Sequence, residues 1–198
     1  MDAQPRVLGA IGPELAPVGR QRERTLIRAA QRGSEEALEE LFRLHWRAAH
    51  RAAYLVVHDG AAAEDIAQEA FLAAIRTLDR FDRRRPFGPW LHRIVLNRAI
   101  DWSRARKARR EVTGETTEGF DAVAPEVDLA SLADADRVVA LLRSLSPEHR
   151  AVVVLRYLLE YTPGEIAEVL EIPRGTVNSR LRRGLDALSL ELSDEVVR

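Results

Sequence analysis

Basic and hydroxyl side chains recur on one face of a helix predicted to begin near Arg174. At 100° per residue, Val177, Leu181 and Leu185 share one side of that helix and polar residues share the other. Arginine can bind a guanine edge through two hydrogen bonds, asparagine can pair with adenine, and hydroxyl groups can hold phosphates. The candidate contact residues are Thr176, Asn178, Ser179, Arg180, Arg182 and Arg183. Such a face could enter a DNA major groove, and the alternative is a solvated basic surface.

A short capped helix precedes this face. Thr162-Pro163-Gly164-Glu165 is a capping box with proline at the first helical position. Apolar residues follow it, and Glu171-Ile172-Pro173 then breaks the helix. Two short helices at this spacing, the second without an acidic residue up to Arg183, are typical of a helix-turn-helix. The pattern therefore favours DNA binding over a merely solvated face.

A second group of candidate contact residues lies on a helix predicted from Gly88-Pro89 to about Arg106. Its predicted buried side carries Leu91, Ile94, Val95 and Trp102. Its opposite side carries Trp90, Arg93, Asn97, Ile100 and Arg104. Aromatic, guanidinium and amide groups beside the triplet Arg83-Arg84-Arg85 suit a surface that stacks unpaired bases and neutralises phosphates. Alternatively Trp90 packs against the preceding loop, and its position in the sequence does not decide between the two.

A third group lies on a helix predicted from about Ala62 to Leu78. Its predicted core side carries Ala67, Phe71, Ala74, Ile75 and Leu78. Its other side carries Asp65, Gln68, Glu69, Leu72 and Arg76. One leucine among acidic residues can mark a docking face, but exposed leucines are common in proteins. By itself this pattern does not establish a partner.

The elements that position these side chains are all helical. Apolar residues step at threes and fours along most of the chain, and strand signals are nearly absent. We therefore predict an all-α protein of two small helical domains joined by a flexible linker rich in acidic residues. The predicted parts are a disordered tail (1–23), a first domain (24–110), the acidic linker (111–133), a second domain (134–192) and a short tail (193–198).

Charge is segregated along the chain although its formal net charge is only -1. Residues 76–110 contain twelve lysines and arginines against three aspartates, whereas residues 111–136 contain eight acidic residues and no lysine or arginine. The basic stretch is what a nucleic-acid-binding surface needs, and the net charge hides it. The acidic stretch would repel DNA.

Enzymatic chemistry finds little support in the residues. The chain has no cysteine, its five histidines lack ligand spacing, and it has no phosphate-binding glycine loop or carboxylate pair placed for acid–base catalysis. His45 lies on an apolar stripe and is expected to be a core residue. We therefore expect a protein that is not an enzyme and has no metal, cofactor or small-molecule substrate. Residues 1–20 lack an apolar run, so neither a signal peptide nor membrane insertion is expected.

Three segments, in order, resemble the extracytoplasmic-function (ECF) sigma factors. Ala63–Phe71 resembles their polymerase-binding helix, Phe87–Asp101 their promoter-melting segment, and Leu145–Arg180 their region 4. The resemblance spans about Arg24 to Leu192. Two departures are Asn178, where the family often has a basic residue, and Gly184, which replaces a better helix former at a cost of about 1 kcal/mol.

This resemblance implies roles for all three groups. Core RNA polymerase would be bound through Asp65, Gln68, Glu69 and Leu72. The minus-10 promoter element would be bound through Phe81, Arg83, Arg84, Arg85, Trp90, Arg93, Asn97 and Arg104. The minus-35 element would be read through Thr176, Asn178, Ser179, Arg180, Arg182 and Arg183.

The resemblance also implies where the protein acts and with which partners. Its partners would be core RNA polymerase and promoter DNA in the bacterial cytoplasm, on the nucleoid during initiation. Because little sequence follows the recognition helix, we expect control by an anti-sigma protein. The alternative function is a stand-alone helix-turn-helix regulator that binds duplex DNA unaided.

Overall fold

The computed structural model describes residues 17–113 and 132–196, and the regular elements in these ranges are all helical. The N-terminal domain contains α1 (Pro17–Ala30), α2 (Glu35–Val57), α3 (Gly60–Thr77), a 3-10 turn (Leu78–Arg80) and α4 (Phe87–Thr113). The C-terminal domain contains α5 (Leu132–Ser144), α6 (Pro147–Val153), a π-helical turn (Val154–Leu158), α7 (Pro163–Leu170) and α8 (Arg174–Val196). The predicted all-α fold of two helical domains is confirmed.

Helix ends follow the capping signals of the sequence. Ser34 accepts a hydrogen bond from the backbone N–H of Ala37 at 3.2 Å and starts α2, after Gly33 has turned the chain at a φ of 90°. Thr162 and Glu165 form both hydrogen bonds of the predicted capping box at the start of α7. Ser146 caps α6 in the same way. These local interactions fix where the helices begin.

Three predicted boundaries are wrong. Residues 17–23 belong to α1 and not to a disordered tail, because Pro17 is compatible with a first helical turn and Ile27 and Ala30 pack into the core. Residues 111–113 extend α4 and residues 132–133 begin α5, so the part of the predicted linker that remains, 114–131, lies outside the described residues. Residues 193–196 extend α8 because no glycine or proline stops it. Residues 1–16 also lie outside the described ranges.

The N-terminal domain is built around α2, which packs against α1, α3 and α4. Its most deeply buried large side chains are Ile27, Val56, Leu91, Val95 and Leu96. Burial of each stabilises the domain by about 1.5–3 kcal/mol relative to exposure. This packing sets the rotation of α3 and α4 about their axes, and therefore which of their side chains face solvent.

Two side chains face the opposite way from the prediction. Ile75, expected in the core of α3, is 45% exposed, whereas Ile100, expected on the open face of α4, is 7% exposed. Both residues lie near the border of the apolar stripe, where a helical-wheel argument does not resolve the side. The contacts among α2, α3 and α4 decide it.

The C-terminal domain closes around α6 and α8, with Val152, Val154, Leu155, Ile166 and Val177 fully buried. Gly184 lies where α8 approaches α6 closely. A Cβ atom there would be 3.0 Å from Val153 Cγ2 and 3.7 Å from His149 Cβ. The glycine weakens the helix locally but permits this close packing.

In the two described ranges, no helix combines the length and the apolar character needed to cross a bilayer.

We predict that alanine substitutions at two glycines of α8 have opposite effects. Gly175→Ala adds a Cβ with no heavy atom within 4 Å, and should raise the free energy of unfolding by about 0.5–1 kcal/mol. Gly184→Ala forces Val153 to move, and should lower that free energy by about 1 kcal/mol. Urea unfolding of the full chain measures both. A Gly184→Ala protein more stable than wild type would contradict the packing argument.

Candidate DNA- and polymerase-binding surfaces

The predicted recognition helix is α8, and its polar face is open. Asn178, Arg182 and Arg183 are exposed, while Thr176, Ser179 and Arg180 are partly buried. Val177 and Leu181 anchor the opposite side against the core. The Ser179 hydroxyl donates to the Thr176 carbonyl at 2.9 Å, inside the helix. The structure therefore brings the six predicted minus-35 residues together on one face.

The turn before α8 is sharp and well defined. Glu171 ends α7 in the left-handed region at a φ of 52°, and the Pro173 carbonyl accepts the first hydrogen bond of α8 from Thr176 at 2.8 Å. α7 and α8 pack against each other on either side of this turn. The predicted helix-turn-helix is present with its second helix outward.

Trp90, on α4, packs against the loop that precedes this helix. Its ring centroid is 4.6 Å from that of Phe81 and 5.4 Å from that of Phe87. Phe81 is 8% exposed, so its predicted role as a direct DNA contact is wrong. Its aromatic ring instead fills the space beneath the loop. Trp90 is only partly buried, so one part of its ring packs on the loop and another stays open to solvent.

The loop between α3 and α4 presents three consecutive arginines to solvent. The Asp82 carboxylate accepts the backbone N–H of Arg84 at 3.0 Å, and the Asp82 carbonyl accepts that of Arg85 at 2.9 Å. These bonds form a compact turn. Arg83, Arg84 and Arg85 are all exposed. Their positive charge is held in place without being neutralised by the turn.

Two of the predicted minus-10 arginines contact the C-terminal domain. Arg93 Nη2 lies 2.6 Å from Glu171 Oε2, and Arg104 Nε donates to Glu148 Oε1 at 2.6 Å. Both pairs are partly open to solvent. Asn97, between these arginines on α4, is exposed. The structure thus places carboxylates on cationic groups that suit phosphates.

The sequence gave no signal for Arg150, the centre of the contact between the domains. Its buried guanidinium donates to the carbonyls of Leu142 at 2.7 Å, Arg143 at 3.1 Å and Leu145 at 2.9 Å, at the end of α5. It also donates to the Val56 carbonyl in the last turn of α2. Burial lowers the pKa of Arg150 to about 10, so the group stays charged at neutral pH.

Two buried histidines lie at the same contact. His92 Nδ1 lies 2.8 Å from the Tyr161 hydroxyl, and burial lowers the pKa of His92 to about 4. His58 ends α2 in the left-handed region, and burial, with Arg150 and Arg143 nearby, lowers its pKa to about 3. Burial raises the pKa of the Tyr161 hydroxyl. These groups are therefore neutral at pH 7, and protonating either histidine would oppose the closed arrangement.

The predicted docking face on α3 is exposed. Asp65, Gln68, Glu69 and Leu72 all face solvent, with Leu72 53% exposed. Gln68 donates to Glu64 at 3.1 Å, and Glu69 pairs with Arg98 of α4 at 3.0 Å. Exposed Ile75 enlarges the apolar part of this face. The result is a leucine and an isoleucine bordered by polar and acidic groups.

His45 is buried, as expected for a core residue. Its Nε2 atom lies 2.9 Å from the carboxylate of Glu23, which is also buried. Within residues 17–113 and 132–196, no three histidine, aspartate or glutamate side chains are arranged to hold a metal ion.

Comparisons with known proteins match both domains. The Sigma-70 region 2 model matches residues 41–110, and the Sigma-70, region 4 model matches residues 135–188. The chain is 34% identical over 178 residues to the ECF RNA polymerase sigma factor SigW of Bacillus subtilis, a match covering 85% of this chain and 95% of SigW. The chain belongs to the ECF family of RNA polymerase sigma factors. As an ECF sigma factor, it directs RNA polymerase to promoters.

Other relatives agree with this assignment. The ECF sigma factor SigM of Mycobacterium tuberculosis is 35% identical over 159 residues, covering 80% of this chain and 78% of SigM. A structure of CnrH in complex with the cytosolic domain of CnrY has a TM-score of 0.66 and 30% identity, covering 87% of this chain and 97% of that one. The sigma factor RpoE of Bartonella quintana, solved with the anti-sigma factor NepR, shares the fold at a TM-score of 0.62 and 23% identity.

We predict that removing the two carboxylates that pair with α4 increases DNA binding by the free sigma factor. Glu148→Gln with Glu171→Gln frees Arg93 and Arg104 for phosphates. An exposed ion pair contributes about 0.2–1 kcal/mol, so the double variant should bind a non-promoter duplex roughly three- to tenfold more tightly. Fluorescence anisotropy at low salt measures this affinity.

The control for this experiment is Glu168→Gln with Glu191→Gln. Both residues are exposed acids of the same domain, and neither forms an ion pair within the described ranges. An equal gain in the control would show that only net charge matters. That result would contradict competition between the carboxylates and DNA.

A further prediction concerns the pH dependence of stability. The folded protein holds His92 neutral with a pKa of about 4, below the ordinary 6.5, so the unfolded state binds more protons between these values. Stability should therefore fall as the pH drops from 6.5 towards 4. His92→Gln should remove about 2 kcal/mol of the loss between pH 7 and pH 5.

Urea unfolding at both pH values measures this difference. His50→Gln is the control, because His50 is only partly buried and stacks on Trp46. His58 should keep part of the pH dependence in every variant. An unchanged pH dependence in His92→Gln would show that His92 is not held neutral.

Proposed function

We propose that the N-terminal domain docks on core RNA polymerase and holds the melted minus-10 element, while α8 reads the minus-35 element as duplex. The observation that carries this proposal is the presence of two outward-facing cationic surfaces, one on each domain, in the order of sigma regions 2 and 4. Each surface suits a different form of DNA.

The α8 face suits duplex DNA. A major groove admits one helix, and α8 follows its capped partner α7 through a tight turn. Arg182 and Arg183 are exposed and form no ion pair within the described ranges, so they are available to base edges or phosphates. Asn178, also exposed, suits adenine. The proposed contacts are Thr176, Asn178, Ser179, Arg180, Arg182 and Arg183.

The α4 face and the preceding loop suit single-stranded DNA. The loop supplies three exposed arginines, and α4 supplies the partly open ring of Trp90 and the exposed amide of Asn97. Stacking on an aromatic ring is worth about 1–3 kcal/mol per base. Unstacking a base costs a few kcal/mol, so phosphate contacts must supply the remainder. Strand opening in this proposal is driven by binding, and the protein itself catalyses no reaction.

The α3 face suits a protein partner. Leu72 and Ile75 are unusually exposed for large apolar side chains, and Asp65, Gln68 and Glu69 provide a polar border. An apolar centre with a polar rim is the usual composition of a protein interface. We assign this face to core RNA polymerase.

The similarity to CnrH supports a further partner. CnrH was solved in complex with the cytosolic domain of CnrY, and its chain aligns with both domains of this protein. We therefore propose that an anti-sigma protein regulates this sigma factor, and that both act in the bacterial cytoplasm, with the sigma factor on the nucleoid during initiation. Membership in the sigma family does not favour the alternative of a stand-alone helix-turn-helix regulator.

The proposal predicts that specific promoter binding requires core polymerase. Promoters can be selected from genomic DNA with the reconstituted holoenzyme, and mobility shifts then compare the free chain with the holoenzyme. We expect specific complexes only with polymerase. Equal specificity of the free chain would support the stand-alone regulator instead.

The same assay tests the α3 face. Leu72→Glu places a charge in the proposed interface and should weaken core binding by roughly tenfold or more, because burying a leucine is worth about 1.5–3 kcal/mol. Leu44→Glu is the control, since Leu44 is 43% exposed and lies about 200° around α2 from Phe42, which contacts Phe71 of α3. Normal core binding by a folded Leu72→Glu protein would reject the assignment.

A further inference from the structure

A basic cleft opens between α1 and the loop that joins α3 to α4. Its volume is about 420 Å³, and its lining consists of Arg24, Arg28, Asp82, Arg83 and Arg84. All five side chains are exposed. Within the described ranges, none of the four arginines forms an ion pair with a carboxylate. The cleft therefore carries a concentrated positive charge that internal pairing does not neutralise.

The two walls of the cleft are fixed to each other by Gln31. Its side-chain amide Nε2 donates to the carbonyl of Leu78 at 2.8 Å and to that of Phe81 at 3.0 Å, just before the arginine loop. Positions 24, 28 and 31 are spaced by four and three residues, so they share one face of the helix. The same face that holds the loop thus places Arg24 and Arg28 opposite Arg83 and Arg84.

The single acid of the cleft is already engaged within the loop. Asp82 accepts the backbone N–H of Arg84 at 3.0 Å, which leaves the guanidinium groups as the ligand-binding atoms of the cleft. Guanidinium groups bind phosphate oxygens in paired hydrogen bonds. No aromatic side chain lines the cleft, so it offers no surface on which a base could stack. Its chemistry fits a sugar–phosphate backbone.

We propose that this cleft binds the phosphodiester backbone of the melted non-template strand beside the α4 face, which makes α1 part of the DNA-binding surface. The inference rests on the proposed function of the α4 face. The loop connects the two surfaces, because Phe81 at its start packs on Trp90 at 4.6 Å between ring centroids. Arg24 and Arg28 lie before residue 41, where the Sigma-70 region 2 match begins, so that match does not assign them.

The cleft acts through charge and carries no sequence readout. A strand seated on α4 with its bases on Trp90 needs its backbone neutralised at the next phosphates, and the four arginines supply that charge. Gln31 is a positioning residue in this arrangement, since its amide ties α1 to the loop and makes no contact with DNA.

The test uses the complete holoenzyme on a pre-melted bubble template made from a promoter that the wild-type holoenzyme selects. The association constant is measured across KCl concentrations for wild type, Arg24→Ala, Arg28→Ala and the double variant. Each lost contact with a single-strand phosphate should reduce the slope of log K against log [KCl] by about 0.7. Arg28→Lys should keep most of the wild-type slope, because it retains the charge.

The matched control is Arg32→Ala, which removes one exposed positive charge from the same segment but does not line the cleft. We expect its slope to equal that of wild type. A wild-type slope in the Arg24→Ala and Arg28→Ala variants, or an equal loss in Arg32→Ala, would overturn the proposal. Weaker core polymerase binding with an unchanged slope would place the arginines against protein and would also overturn it.

The two proposals fail in different ways. If wild-type holoenzyme forms no promoter complexes, the proposed function is wrong before any variant is compared. If wild type opens promoters and only the cleft variants behave normally, the inference about α1 alone is wrong. Gln31→Leu gives an independent reading: the loop should lose its anchor, and the salt slope should fall although no charge is removed.

Discussion

The contact between the two domains depends on one buried cation. Removing a guanidinium from water is costly unless its donors are satisfied, and Arg150 meets this condition by donating to four backbone carbonyls. Three of these carbonyls end α5, and the fourth lies in the last turn of α2. Carbonyls at helix C-termini lack partners within the helix and carry partial negative charge, so they suit a cation. The same bonds therefore close a helix of one domain and attach it to the other.

The position of the C-terminal domain in turn sets the electrostatic state of α4. Once Arg150 holds α6 beside α2, Glu148 reaches Arg104 and Glu171 reaches Arg93. Each carboxylate occupies a guanidinium that could otherwise bind a phosphate. These pairs are partly solvated and individually weak, so DNA phosphates can replace them without a large penalty. The buried contacts of Arg150 and His92 give the closed arrangement its geometry, and the exposed ion pairs link that geometry to DNA binding.

Aromatic packing explains why the arginine loop is presented rather than collapsed. Phe81 and Phe87 are buried on either side of the loop, and Trp90 packs against both. Gln31 then holds the start of the loop to α1 through two carbonyls. With both ends anchored, the arginines between them remain in solvent. The loop can therefore keep a concentrated positive charge that would otherwise favour dispersal.

The sequence by itself determined the helices, their caps and the grouping of polar residues on α3, α4 and α8. Capping boxes and 3.6-residue periodicity are local, so Thr162 and Ser34 act as predicted whatever surrounds them. The sequence also identified the six residues of the α8 face. Only the tertiary structure decided residues at the edges of the apolar stripes: Phe81 is buried, Ile75 is exposed, and Trp90 lies between the two states. It also decided the role of Arg150 and the pairing of Arg93 and Arg104, because these contacts join residues 44 to 94 positions apart in the chain. Local spacing carries no information about such partners, since their proximity arises from how α2, α4 and α6 pack.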